Sequence, residues 1–85
     1  MAYKPQWMDA YLIHGHNGFQ GAERIPHVQI RVSGGWASVS LQNCQYIVGE
    51  ECIPRNRRRD VLDWVRDNLS DLWSEWKSKS NPYGY

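Results

Sequence analysis

Between His27 and Leu41 apolar and polar side chains alternate on both sides of a Ser-Gly-Gly step, and this alternation constrains the fold more than any other feature. Successive side chains of a β-strand point to opposite faces, so a period of two gives each strand one apolar face. The two glycines can supply the positive φ angles of a tight turn. The pattern therefore predicts a half-buried β-hairpin whose buried face carries Val28, Ile30, Val32, Ala37, Val39 and Leu41.

Two shorter segments extend this hairpin into a larger sheet. Residues 8–14 contain β-prone side chains between turn-forming neighbours, and a turn at residues 42–44 leads into the apolar run 46–48. Residues 15–26 contain several glycines and end in a proline, which favours a loop. The sequence predicts a three- or four-stranded antiparallel β-meander with a long loop after its first strand.

The second half of the chain has the pattern of a helix. Pro54 suits a helix start because its missing N–H would be unpaired there, and neither Gly nor Pro recurs before Pro82. We expect the helix to begin at about Pro54 or Asn56 and to end at about Lys77. At 3.6 residues per turn its apolar stripe consists of Val61, Leu62, Val65, Leu69, Leu72 and Trp76.

These elements predict an α+β fold, with a three- or four-stranded antiparallel β-meander packed on one long C-terminal amphipathic helix. Residues 1–77 would form a single domain, and residues 78–85 a flexible C-terminal tail, because that segment is polar and contains a proline. Trp64 and Trp73 flank the apolar stripe on opposite sides. If partly exposed they could anchor a partner protein, since Trp is enriched in interface hot spots.

Composition excludes several classes of protein. The 85 residues allow one domain, and the formal net charge of +1 is not that of a chain that coats nucleic acid or an anionic membrane. No apolar stretch approaches the ~20 residues of a membrane span, and the first residues lack the apolar core of a secretory signal. We expect a cytoplasmic protein in which Cys44 and Cys52 are reduced, because an intervening strand would hold them apart.

A cluster of arginines lies where the helix is expected to begin, and it has two interpretations. Cations are disfavoured at the positive end of a helix dipole, so their accumulation there could mark a site for a phosphate or a partner's carboxylates. Alternatively, the arginines form a solvated group paired with Glu50, Glu51 and Asp60. This arginine cluster consists of Arg55, Arg57, Arg58 and Arg59.

The polar face of the predicted hairpin is the second candidate binding surface. Its mixture of cationic, hydrogen-bonding and stacking groups could serve as a platform for single-stranded nucleic acid. In the alternative interpretation, an N-terminal segment packs over Trp36 and buries it. The side chains expected on this face are His27, Gln29, Arg31 and Trp36, with Ser38 and Ser40.

The sequence does not indicate catalysis. His14, His16 and His27 are potential metal ligands, but no carboxylate or cysteine stands at a recognisable ligand spacing, so we predict no metal site. Neither cysteine lies in a context that would lower a thiol pKa, and no phosphate-binding glycine loop is present. We therefore expect no catalytic residue, no cofactor and no enzymatic activity.

Motifs between residues 26 and 76 carry a family resemblance. They are Pro26-His27, the hairpin through Trp36 and Leu41, Ile53-Pro54-Arg55, Leu62-Asp63-Trp64 and Glu75-Trp76. On these residues the chain resembles a family of small bacterial proteins of unknown function, often encoded beside a second small protein in toxin–antitoxin-like pairs or mobile-element cargo. The resemblance implies a partner more than a reaction. The chain differs at Gln29, where the family usually has a second histidine, and in its longer connection before Pro54.

Together these features favour a non-enzymatic protein-binding module of a bacterium or its phage. We expect another protein as the partner, contacted through the outer face of the sheet, the flanking tryptophans or the arginine cluster. The alternative is a small nucleic-acid-binding protein in which the arginine cluster holds phosphates and sheet aromatics stack on bases. Neither hypothesis requires a membrane.

Overall fold

Four strands form one antiparallel sheet in the order in which they occur along the chain. A computed structural model describes residues 3–13 and 25–79. The strands are β1 (Ala10–Leu12), β2 (His27–Val32), β3 (Gly35–Ser40) and β4 (Tyr46–Val48). The predicted antiparallel meander is confirmed, and it has four strands.

The central hairpin follows the alternation of the sequence. Val28 pairs with Val39 and Ile30 pairs with Ala37 across β2 and β3, and these four side chains are buried. The connecting turn has positive φ angles at Ser33 (52°) and Gly34 (83°). Because the paired apolar residues share one face, the register gives the hairpin one buried side, as the period of two predicts.

The two outer strands are short, and β1 is shorter than predicted. It covers residues 10–12 instead of 8–14, and residues 14–24 lie outside the described residues. On the other side, β3 turns into β4 through residues 41–45, where Cys44 has a φ of 56° and the Ser40 N–H donates to the Gln45 carbonyl. A register shift at Ser38/Val39 separates the two pairings between β3 and β4.

The predicted single long helix is wrong, because the structure has two helices. A short 3-10 turn, Glu50–Cys52, leads to α1 (Arg55–Asp67), and α2 (Leu69–Ser78) follows. Asn68 interrupts them with φ −112° and ψ 17°. Its backbone N–H and its side-chain Nδ2 both donate to the Trp64 carbonyl, at 3.0 and 2.9 Å. The i→i−4 bond to Trp64 is thus retained at Asn68, and the Trp64 carbonyl accepts a second bond from the side chain at the interruption.

Both helices cover the same face of the sheet. The rings of Tyr11 and Trp64 lie 5.2 Å apart, and the Tyr11 hydroxyl donates to Glu75 Oε2 at 3.1 Å, which joins β1 to α1 and to α2. Trp64 is buried, not partly exposed at a helix edge, which corrects the expectation that it could anchor a partner, while Trp73 is partly buried against the core. The core residues are Met8, Ile13, Val28, Ile30, Val32, Ala37, Val39, Leu41, Ile53, Val61, Trp64, Val65, Leu72 and Trp76.

The N-terminal residues pack against α1. Trp64 Nε1 donates to the Tyr3 carbonyl at 2.8 Å, and the Arg57 guanidinium lies 5.3 Å from the centre of the Trp7 ring. Both contacts are with α1, so this segment does not pack over Trp36, which was the structural alternative for the polar face of the hairpin. Among the described residues, neither a helix nor the N-terminal segment covers the opposite face of the sheet.

Helix α2 extends one residue into the predicted tail. The predicted tail begins at Ser78, which is the last residue of α2, and residues 80–85 lie outside the described residues. In the two described ranges, no helix is long and apolar enough to cross a membrane.

Candidate functional site

The face of the sheet turned away from the helices forms a continuous surface across all four strands. Leu12 pairs with Gln29, Gln29 with Ser38, and Ser38 with Val48, so these four side chains lie in one row. Direct cross-strand partners share a face, which places the next pair, Arg31 and Trp36, on the same side. We call this surface the open face, and its residues are Ala10, Leu12, Gln29, Arg31, Trp36, Ser38 and Val48.

Three large apolar side chains of the open face are exposed. Val48 is 59% exposed, Leu12 43% and Trp36 39%. Leu12 and Val48 belong to the two outermost strands, and Trp36 belongs to β3 between them. Single exposed apolar side chains are ordinary on a protein surface, but three on one uncovered sheet face make that face the candidate interaction surface.

A shallow groove of about 490 Å³ crosses one end of this surface. Gln29, Trp36, Ser38 and Val48 line it together with the 3-10 turn, which contributes Glu51. The turn lies close to β3, because a Cβ added to Gly35 would overlap the Cys52 carbonyl oxygen. The groove thus combines apolar, hydrogen-bonding and acidic groups beside the Trp36 ring.

The cation of the open face is Arg31. Its guanidinium carbon lies 5.8 Å from the centre of the Trp36 ring, within the range of a cation–π contact. Arg31 is exposed, and no ion pair to it is recorded among residues 3–13 and 25–79. This stacking keeps a positive charge beside the largest aromatic ring of the surface.

The structure separates the four hairpin residues predicted as binding residues. Gln29, Arg31 and Trp36 lie on the open face, as the alternation predicts. His27 does not, because it is 5% exposed and its ring lies 5.5 Å from that of Trp76 in α2. The prediction fails for His27 because it is the first residue of β2, where the ring can turn past the end of the sheet towards α2.

Two members of the arginine cluster are held against the protein. Arg57 Nη1 contacts Asp60 Oδ2 at 2.9 Å, and the same side chain stacks on Trp7. Arg58 Nε donates to the Ile53 carbonyl at 2.9 Å, while the Arg58 carbonyl accepts the hydroxyl of Tyr46. Each contact uses one of the five N–H donors of its guanidinium and ties that side chain to its own protein.

The other two arginines of the cluster, Arg59 and Arg55, are exposed. Arg59 Nε lies 3.4 Å from Asp63 Oδ1, and Arg66 Nη2 lies 2.8 Å from the same oxygen. Arg55 is exposed at the first position of α1. Among the described residues the acidic partners of the cluster are Asp60 and Asp63, and no ion pair from Glu50 or Glu51 is recorded. The cluster therefore does not converge on one point.

A second groove, of about 540 Å³, separates α1 from the turn between β3 and β4. Arg59, Asp63 and Arg66 line it on one side and Cys44 on the other. Burial raises the pKa of the Cys44 thiol, and the positive charge of Arg66 opposes this shift. The thiol is therefore protonated near neutral pH, and Cys44 lacks the lowered pKa of a reactive nucleophile.

Three histidines of the sequence are potential metal ligands. Within residues 3–13 and 25–79, no three side chains of His, Cys, Asp or Glu are close enough to hold a metal ion together. His14 and His16 lie outside the described residues, and His27 is buried against Trp76. Cys44 and Cys52 are both free thiols.

The sequence analysis missed Leu12 and Val48. Each lies in a strand of three residues, which is too short for an alternating pattern to be recognised. The available signals were local: Leu12 separates Tyr11 from Ile13, both of which face the helix side, and Val48 ends an apolar run before Gly49. Cross-strand pairing, not the sequence alone, brings the two side chains into one row.

No protein-family model, curated protein or solved structure matches this chain.

Proposed function

We propose that this protein is a non-enzymatic protein-binding module that docks a folded partner on the open face of its sheet. The observation that supports it best is the exposure of Leu12, Trp36 and Val48 together on the face that neither helix covers. Burying three such side chains against a partner would remove apolar surface from water, which is the main favourable term in protein association.

The chemistry of the open face fits a protein surface. Trp and Arg are the residues most often found in interface hot spots, and here Arg31 stacks on Trp36 at 5.8 Å. Gln29 and Ser38 supply hydrogen-bonding groups in the middle strands, between the apolar side chains of the outer strands. A partner would therefore present apolar groups opposite Leu12 and Val48 and polar groups between them.

Nucleic-acid binding receives less support from the same contacts. The arginine cluster would have to release Arg57 from Asp60 and Arg59 from Asp63 before both could neutralise phosphates. Affinity for nucleic acid depends on such phosphate contacts, and each paired guanidinium is partly neutralised already. The net charge of +1 adds no general attraction.

Affinity capture from host lysate tests the proposal, provided that each captured protein is afterwards purified and re-bound. The docking variant is Leu12→Asp combined with Val48→Asp, which places two charges on the open face. Its matched control is Ser70→Asp with Ser74→Asp, which adds the same charges to exposed positions of α2. Thermal unfolding of both variants verifies that each one is folded.

With a crosslinker added before washing so that a weakly bound partner is retained, the expected result is a protein recovered with the wild type and the control, with or without nuclease, and lost with the docking variant. Re-binding of the purified partner should weaken at least about 10-fold for the docking variant. Recovery that is equal for both variants would overturn the proposal. Recovery of nucleic acid that disappears when Arg57, Arg58 and Arg59 are replaced by Ala would favour the alternative function.

A further inference from the structure

We infer that the partner of the open face is a second copy of this chain, packed face to face about a twofold axis parallel to the strands. This inference rests on the docking function proposed above and names its occupant. The support comes from the order of side chains across the sheet, which becomes complementary to itself under that symmetry. A twofold interface requires this property, since the same patch must serve both copies.

The first row of the open face has the required order. Leu12, Gln29, Ser38 and Val48 run across β1, β2, β3 and β4, with an apolar side chain at each end. An axis parallel to the strands reverses the strand order, so β1 faces β4 of the second copy and β2 faces β3. Leu12 then meets Val48 of the second copy, and Gln29 meets Ser38. Apolar groups meet apolar groups, and hydrogen-bonding groups meet each other.

The second row adds charge complementarity. The same rotation places Arg31 of β2 over Trp36 of the second copy's β3, and Glu51 lines the groove beside that Trp36. Within the described residues, neither Arg31 nor Glu51 has a recorded ion pair in its own chain. Each copy therefore offers one exposed cation and one exposed carboxylate where the other offers the opposite charge, and the pair forms twice in the dimer.

The size of the surface predicts how strong the association is. At ~4.8 Å between strands and ~3.4 Å per residue, the two strands of six residues and the two of three residues define a face of roughly 300 Å² per copy. Stable interfaces bury about 800 Å² per partner, so this dimer is expected to be weak, with a dissociation constant on the order of 100 µM. Face-to-face sheets at ~10 Å spacing are a common packing.

Charge reversal tests the dimer with the full chain. Sedimentation equilibrium from about 10 to 500 µM, a range that brackets the expected constant, measures self-association of the wild type, Arg31→Glu, Glu51→Arg and the control Arg55→Glu. We expect each open-face variant alone to self-associate at least about 10-fold more weakly, because like charges meet twice. An equimolar mixture of Arg31→Glu and Glu51→Arg should associate again, since both contacts become attractive. The control should match the wild type.

Disulfide trapping tests the axis independently. In chains with Cys44→Ser and Cys52→Ser, a Leu12→Cys chain mixed with a Val48→Cys chain should form mixed disulfides faster than either chain alone. Wild-type protein that stays monomeric throughout the range would overturn the inference, as would self-association unchanged by Arg31→Glu and Glu51→Arg. Neither result would overturn the docking function, which is tested separately. If the partner is a different protein, the wild type would still capture it and the Leu12→Asp and Val48→Asp variant would lose it.

Discussion

The imidazole of His27 and the indole of Trp76 lie 5.5 Å apart with a 57° angle between their planes, and both side chains are buried. His27 Nδ1 also lies 2.7 Å from the Ile25 carbonyl. The start of β2 is thereby held against α2, near the end of the described chain. A residue that alternation assigns to the surface is in this way part of the packing between sheet and helix.

Replacing His27 by Ala should destabilise the protein without changing its docking. The change removes a buried ring contact and a hydrogen bond, so we expect the free energy of unfolding to fall by about 2 kcal/mol. Trp36→Ala is the matched comparison, because Trp36 is an exposed member of the same hairpin, and it should cost less than about 1 kcal/mol. Urea unfolding measures both. Equal losses in the two variants would contradict the assignment of His27 to the core.

Gly35→Ala should be more damaging than Gly34→Ala. A Cβ at position 35 would overlap the Cys52 carbonyl oxygen, so the 3-10 turn would have to move, at a cost of about 3 kcal/mol. At position 34 there is open space, and the cost is the strain of a φ of +83°, about 1 kcal/mol. Thermal unfolding of the two variants gives the order. The reverse order would show that the turn does not pack on β3.

Tyr46→Phe should change stability mainly at high pH. Burial, reinforced by Glu50 and opposed by Arg58, raises the pKa of Tyr46 to about 12, whereas an unfolded chain releases this proton near pH 10. Between these values the folded state holds more protons than the unfolded state, so stability decreases as pH rises. Tyr46→Phe should remove this extra decrease and, at pH 7, cost about 1 kcal/mol for the lost bond to the Arg58 carbonyl. Unfolding at pH 8 to 12 compares the two proteins, and parallel curves would refute the pKa shift.

Trp64→Phe should loosen the N-terminal segment. The substitution removes the indole N–H that donates to the Tyr3 carbonyl at 2.8 Å, so we expect a loss of about 1 to 2 kcal/mol and faster amide exchange in residues 3–9. Trp73→Phe is the matched control, since no indole hydrogen bond of Trp73 is recorded within the described part of the chain. Exchange that rises equally in both variants would exclude the hydrogen bond as the cause.

The fold could be predicted where the regular spacing of apolar residues places them all on the core side of one strand or helix. The alternation in β2 and β3 and the helical spacing of Val61, Val65 and Leu72 both reflect burial on one side, and burial follows from hydrophobicity. The break between the helices could not be predicted in this way. It lies at Asn68, whose side chain donates to the Trp64 carbonyl, and the apolar spacing continues across it.

The candidate site was predictable only in its central strands. Gln29, Arg31 and Trp36 follow from the alternation, whereas the contributions of Leu12 and Val48 depend on pairings between strands that are distant in sequence. The contacts of the arginine cluster could not be predicted from the sequence either, because Arg57 contacts Trp7, which lies near the other end of the chain. Sequence periodicity describes single elements, and these contacts arise from how the elements meet.

Both helices follow the whole sheet in the chain, which has a consequence for synthesis. The ribosome makes residues 10–48 before α1 and α2, so the side of the sheet that carries Val28 and Ile30 stays uncovered until the helices emerge. The bond from Tyr11 to Glu75 joins residues that are 64 positions apart, and it can form only at that late stage. A nascent chain stopped after β4 would therefore expose apolar surface on both faces of its sheet, which makes it a substrate for chaperones and proteases.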